Sequence, residues 1–180
     1  MPFALPESIS TPRLRLRRPG FADAGLIFDA YTRDAEVCRY MVWTPHTSPE
    51  ETGGFIRHCI DAWDAGRARP YVLALPGDEH TPIGMLEARR RSHALDIGYV
   101  LARRHWGRGL MPEAVDAVAR AALAQAGIFR IQASCDVDNL PSQRTLEKAG
   151  FVREGRLERY TVHPNIDPAP RPCFMYARVR

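Results

Sequence analysis

Residues 97–114, IGYVLARRHWGRGLMPEA, hold the most chemically suggestive spacing in the chain. An apolar, strand-like segment passes through a loop containing Gly107 and Gly109 and runs directly into an alanine-rich helical pattern. The first-turn amides of such a helix lack intrahelical acceptors and lie at the positive end of its dipole. The segment therefore suits an anion, and the glycines let a phosphate approach the backbone. Two familiar phosphate loops do not fit. A P-loop requires Gly-Lys-Ser/Thr, whereas Gly109 is followed by Leu110 and Met111. A dinucleotide fingerprint requires a third glycine where Pro112 stands, together with a parallel βαβ unit that the preceding segment does not suggest.

A second stretch places Asn139-x-x-Ser142 at the start of a short helical pattern that closes with Leu146-Glu147-Lys148-x-Gly150-Phe151. Asparagine is a good N-cap, and a serine in the first turn can also satisfy an orphan N–H, so both residues carry a structural reading beside any chemical one. Metal chemistry has no such foothold. Cys38, Cys59, Cys135 and Cys173 are widely spaced, with no C-x-x-C pair, and read as buried free thiols. The six histidines show no helical ligand spacing, so no metal is expected.

These groups need a scaffold. In residues 12–18, Leu14 and Leu16 alternate with arginines, which predicts a half-buried strand ended by Pro19. Ala24, Ile27, Phe28 and Tyr31 follow helical spacing with Asp23 as N-cap. Ser48, Pro49 and Glu51 announce a second helix by a capping box, with Ile56, Cys59, Ile60 and Trp63 on one face. Strands over 71–75 and 83–88 flank the hairpin loop PGDEHTP, and a third over 94–101 completes an antiparallel meander. A helix over 109–126 stopped by Gly127, a strand over 131–137, the short helix through Pro141 and Leu146 stopped by Gly150, and strands over 151–160 and 172–179 follow. DPAPRP, before the last strand, reads as a rigid loop, and the whole of 1–180 reads as one α/β domain without repeats.

The loop Arg104-x-x-Gly107-x-Gly109 resembles the pyrophosphate loop of the GCN5-related N-acetyltransferase (GNAT) superfamily. TPRLRLRRP at the start, IGYVL, WGRGL with Glu113 and Ala114, and NLPSQRTLEKAGF extend the likeness over nearly the whole chain and are similar to its RimJ/RimL-like branch. The resemblance implies a mixed, mostly antiparallel seven-stranded sheet flanked by helices and splayed between its fourth and fifth strands, 94–101 and 131–137, with acetyl-CoA wedged into the opening. Backbone groups of Tyr99, Val100 and Leu101 would pair with the pantetheine arm as an added strand would. Arg104, His105, Trp106, Gly107, Arg108, Gly109 and Leu110 would hold the diphosphate.

The implied reaction is acetyl transfer to a primary amine by direct attack in a ternary complex. It requires a neutral nucleophile, stabilisation of an oxyanion and a proton for the departing thiolate. Many relatives supply that proton from a tyrosine seven residues after the asparagine, where this chain has Leu146, so the resemblance passes the role to Ser142. Asn139 would orient the pantetheine or serve only as a cap. Asp96 and Glu87 are candidate bases and equally solvent-facing charges on strands, while Ser134 stands where some N-terminal acetyltransferases carry a glutamate. Arg144 or Lys148 would reach the cofactor's other phosphate, or simply lie at the surface. Of the aromatic residues, Trp43 is the acceptor-site candidate, and Tyr40 reads as packing.

Composition narrows the classes further. The formal charge is +4, carried almost wholly by arginine, since Lys148 is the only lysine. These arginines are dispersed rather than gathered on one stripe, which argues against nucleic acid as a partner. No apolar run approaches the roughly 18 residues of a membrane span, and the N-terminus lacks signal-peptide order, so a cytoplasmic monomer or homodimer is expected. The expected acceptor is a protein N-terminus of the ribosomal-protein kind. The alternatives are a small amine, such as an antibiotic or polyamine, and a CoA-binding module without catalysis.

Overall fold

Strand alternation divides the buried residues of the computed structural model, which describes residues 5–180, between the two faces of one mixed sheet. Eight strands contribute: β1 (Ser8–Ser10), β2 (Arg15–Arg17), β3 (Ala68–Ala74), β4 (Gly84–Arg91), β5 (Ala94–Leu101), β6 (Arg130–Asp136), β7 (Val152–His163) and β8 (Asp167–Val179). They lie in the order β1-β2-β3-β4-β5-β6-β8-β7. Every neighbouring pair is antiparallel except β5 and β6. A parallel pair requires a crossover, and α4 (Leu110–Leu123) supplies it.

Leu73, Leu86, Leu95 and Ile131 point to one face, where they bury against Leu110, Ala114, Val115 and Val118 of α4 and Leu146 of α5 (Leu140–Lys148). Val72 and Met85, one position out of phase, point to the other face. There they meet Ile27 of α1 (Asp23–Ile27), Val37 of α2 (Ala35–Cys38), and Ile56 and Cys59 of α3 (Pro49–Asp64). All four cysteines are free and buried. Among the described residues no helix is long and apolar enough to cross a membrane, and no group of His, Cys, Asp or Glu is arranged to hold a metal.

Several local expectations change. The sheet has one strand more than the seven expected, because the short β1 pairs with β2, and the splay therefore falls between strands numbered five and six. Asp23 does not cap α1. Its buried carboxylate reaches back to the Gly20 N–H (2.8 Å) and to the Arg17 guanidinium (2.6 and 2.9 Å), while Ala22 takes the cap position. The helical spacing through Tyr31 continues as a π-turn over Phe28–Thr32. At α3, Glu51 reaches one residue beyond the expected box and accepts from the backbone N–H and hydroxyl of Thr47, at 2.7 and 3.0 Å. α4 ends at a C-cap on Ala124, with Gly127 (φ +85°) in the turn beyond it.

DPAPRP is strand rather than loop, being the first half of β8. Val137 N–H donates to Pro172 O, which turns the even-numbered residues of β8 toward β6. Pro168, Pro170 and Pro172 thus place every missing N–H on the side where β6 has ended or needs no donor, while the odd-numbered residues keep the ladder to β7.

Candidate active site

The β5–β6 pairing covers only Ala94–Asp96 against Arg130–Gln132. Beyond it the strands diverge, although β5 continues paired to β4 as far as Leu101. The opening holds a cleft of about 620 Å³ between β5, the glycine loop, α5 and α2.

Its β5 wall is a partly open strand edge. Ala102 N–H donates to Ile83 O (2.8 Å), and strand alternation then turns the amide groups of Val100 toward β4 as well. Tyr99 and Leu101 face the opening. The Leu101 carbonyl is already an acceptor for Trp106 Nε1 at 2.7 Å. Of the three residues expected to present free backbone groups, Tyr99 does so fully, Leu101 through its N–H, and Val100 lines the cleft without offering its backbone to it.

At the mouth of the opening stands the N-terminus of α4. Gly109 is its N-cap in the left-handed region (φ +71°), as is Gly107 (φ +71°), and no side chain caps the helix. A side chain at either position would be strained, which explains both glycines. His105, Trp106, Gly107, Gly109 and Leu110 line the cleft. Arg104 and Arg108 stand just outside it and flank the buried His105 ring, with Arg104 Nε 3.1 Å from Nε2 and Arg108 3.3 Å from Nδ1. Burial, and then the two guanidinium groups, push the His105 pKa below its ordinary value, so this ring is neutral near pH 7.

The opposite wall is α5. Asn139 caps it by accepting from Ser142 N–H at 3.2 Å, and Gly150 (φ +79°) closes it in a Schellman turn, with Phe151 N–H on Leu146 O and Gly150 N–H on Glu147 O. With the cap role taken by Asn139, the Ser142 hydroxyl is released to meet Tyr99 OH, 2.8 Å away. Burial raises the Tyr99 pKa well above its ordinary value and the Ser142 hydrogen bond offsets only part of that, so Tyr99 stays protonated. Cys135 lies beside this pair, its thiol pushed up to about 12 by burial and therefore protonated near pH 7. The turn into α5 is fixed by Asp136, which accepts from Arg171 (2.6 and 3.2 Å) and from Asp138 N–H (2.9 Å). Burial would raise the Asp136 pKa, but these hydrogen bonds outweigh it and hold the carboxylate below its usual range.

The other expected residues fall in different places. Arg144 and Lys148 line the cleft. Glu87 and Asp96 do not: Glu87 is bound to Arg89 (2.6 Å), and Asp96 sits at the closed end, bound to Arg91 (2.8 Å) and Gln132 (2.7 Å). Trp43 also lies outside the lining, its ring 5.2 Å from His46 and its carbonyl accepting from Asn165. Tyr40, expected to pack, instead lines the cleft and donates to Asp138 O at 3.2 Å. Glu36, Arg39 and Met41 join it there. No motif marks Glu36 of α2 or the residues just after that helix, and the helix start at Asp34 is the only local signal there.

Residues 13–152 match the family model for an acetyltransferase (GNAT) domain. A Bacillus licheniformis protein named uncharacterized N-acetyltransferase p20 is 30% identical over 156 residues, covering 86% of this chain and 87% of that protein. A GNAT-family acetyltransferase from Bacillus anthracis superposes with a TM-score of 0.83 at 26% identity, over 96% of this chain and 98% of the other. The ribosomal L7/L12 α-N-protein acetyltransferase RimL, solved with coenzyme A, shares the fold with a TM-score of 0.82 at 22% identity over 97% of both chains. The chain belongs to the GNAT N-acetyltransferase family.

Proposed function

We propose that this enzyme transfers the acetyl group of acetyl-CoA to the α-amino group of a protein or peptide, by direct attack in a ternary complex. The observation that carries the reading is the separation of β5 from β6 beyond Asp96, which ends at an uncapped helix N-terminus. The residues present fit this co-substrate. A strand edge at Tyr99 and Leu101 suits the amide-rich arm, the left-handed glycines and first-turn amides suit a diphosphate, and Arg144 and Lys148 supply cations farther along the cleft.

Acetyl-CoA supplies an activated thioester; the chain supplies placement and a proton donor. Tyr99 remains protonated and its hydroxyl shares a hydrogen bond with Ser142 Oγ in which either group can donate; with Tyr99 as the donor, the Ser142 proton is free for the departing sulfur. Glu36 and Asp138 are the carboxylates that line the cleft, and neither stands beside this pair in the hydrogen-bond network. An α-amine, with a pKa of about 7.7–8.0, needs less deprotonation than a lysine-like amine at about 10.4, and it fits a site where water takes the proton.

The test is thiol release from acetyl-CoA against peptides with free N-termini, spermidine and an aminoglycoside. Turnover with peptides is expected. Turnover with the polycations alone would overturn the acceptor class, and tight CoA binding without any turnover would make the chain a non-catalytic CoA module.

A further inference from the structure

Arg13, roughly a hundred residues away in sequence, grips the outer side of the glycine loop. One guanidinium nitrogen donates to Arg108 O (2.9 Å), another to Gly109 O (3.1 Å), and Nε donates to Glu113 at 2.6 Å. Glu113, on the first turn of α4, also accepts from the Arg13 backbone N–H (3.0 Å) and the Thr11 hydroxyl (2.5 Å). Thr11 in turn holds Leu14 N–H at 2.9 Å. Burial would raise the Glu113 pKa, but the hydrogen bonds from Thr11 and Arg13 outweigh it and keep the carboxylate ionised. The chain segment before β2 is thereby locked to the start of α4.

The consequence follows from peptide geometry. In a planar trans peptide the C=O of one residue and the N–H of the next point in opposite directions. Holding the carbonyls of Arg108 and Gly109 outward aims the N–H groups of Gly109 and Leu110 the other way, toward the cleft that both residues line. Both peptides flank Gly109, a left-handed glycine whose backbone has wide conformational freedom. One planar, doubly donating side chain fixes both at once, which a lysine cannot do.

We infer that Arg13, anchored by Glu113, is a positioning residue that presets the anion-binding amides of the glycine loop from outside the cleft. The inference rests on the acetyl-CoA reading. Arg13 touches no substrate. It keeps the loop in its binding conformation before the ligand arrives, so the ordering cost is met on folding and not on binding.

The experiment compares ligands that carry the diphosphate with one that lacks it, in wild type, Arg13→Ala, Arg13→Lys and Glu113→Gln. For Arg13→Ala, calorimetry is expected to show about a tenfold loss of affinity for CoA and the same factor for 3′-phospho-ADP, the diphosphate half alone. S-acetylpantetheine, without the diphosphate, should keep its kcat/KM within about twofold. Arg13→Lys, which retains the charge, should behave nearly like alanine, and Glu113→Gln should show a smaller loss of the same selectivity. Equal losses on S-acetylpantetheine and CoA, or full rescue by lysine, would overturn the inference. If Arg13→Ala does not fold, Arg13→Lys and Glu113→Gln carry the same comparison. Failure of wild type to bind CoA would instead remove the co-substrate reading, which separates the two outcomes.

Discussion

Two helix N-termini face each other across the cleft, and they are finished in opposite ways. α5 is closed: Asn139 caps it, Pro141 occupies its first turn, and the orphan amide of Ser142 is satisfied within the chain. α4 is open, with a left-handed glycine at the cap position and no capping side chain. A cap contributes roughly 1 kcal/mol, so leaving α4 without one forgoes stability that a single Asn or Ser could supply. What α4 keeps is a set of amides available to a ligand, while α5 uses its completed end to set one hydroxyl opposite Tyr99. On the proposed reading, the contrast separates binding, on the α4 side, from chemistry, on the α5 side.

The sharpest way to break this contrast is to fill the open end. Gly109→Val forces a β-branched side chain into a backbone with φ +71° and moves the loop off its anion geometry. CoA affinity is expected to fall by 10²-fold or more, on the order of what loss of several charge-assisted contacts entails. Calorimetry on a folded variant with unchanged affinity would show that the loop does not bind the diphosphate. On the other wall, Ser142→Ala should lower kcat by roughly 10² with CoA affinity nearly constant. Because the hydroxyl bonds Tyr99 and caps nothing, the stability lost should be about 1 kcal/mol, that of one hydrogen bond; retained activity would remove Ser142 as the donor and shift the search to Tyr99 or water.

The glycine loop and the helix around Ser142 were legible in the sequence because both depend on local rules: glycine where φ is positive, asparagine at a cap, apolar residues at helical spacing. The partner of the Ser142 hydroxyl was not legible. Nothing near Asn139 announces that Tyr99, on a strand far away in sequence, arrives within 2.8 Å. Asp23 shows the same limit from the other side, since its cap-like spacing yields to a buried ion pair with Arg17 that only the fold creates. The prolines of β8 mislead for a third reason. They break a central strand but are tolerated where every lost donor faces an edge that needs none.

Removing the cap from α5 tests the contrast with a smaller effect. Asn139→Ala should cost about 1 kcal/mol of stability in a denaturant melt, because Ser142 N–H loses its acceptor. It should leave the Kd for CoA within about threefold if Asn139 acts only as a cap. A larger loss of affinity at preserved stability would instead make Asn139 a ligand-orienting residue and blur the division of labour.

The smallest effect concerns pH on the open side. His105 is held neutral by burial and by Arg104 and Arg108, so its pKa is lower in the folded protein than the ordinary 6.5 it regains on unfolding. Between that value and the lower folded one, the unfolded chain binds the extra proton, so stability is fully present above about pH 6.5 and declines as pH falls through this window. His46 is shifted the same way and contributes in parallel, whereas the depressed carboxylates Glu113 and Asp136 act only below their ordinary 4.5 and 3.8. Melting temperature should therefore drop modestly from pH 7 to pH 5, and His105→Gln, which cannot titrate, should remove part of that drop and leave the part due to His46. Bound CoA should shrink it as well, since a diphosphate at the α4 N-terminus offsets the repulsion that a protonated His105 would feel from its two arginines. A His105→Gln profile identical to wild type between pH 7 and 5 would show that neither burial nor the two arginines lowers the pKa of this ring in the folded protein.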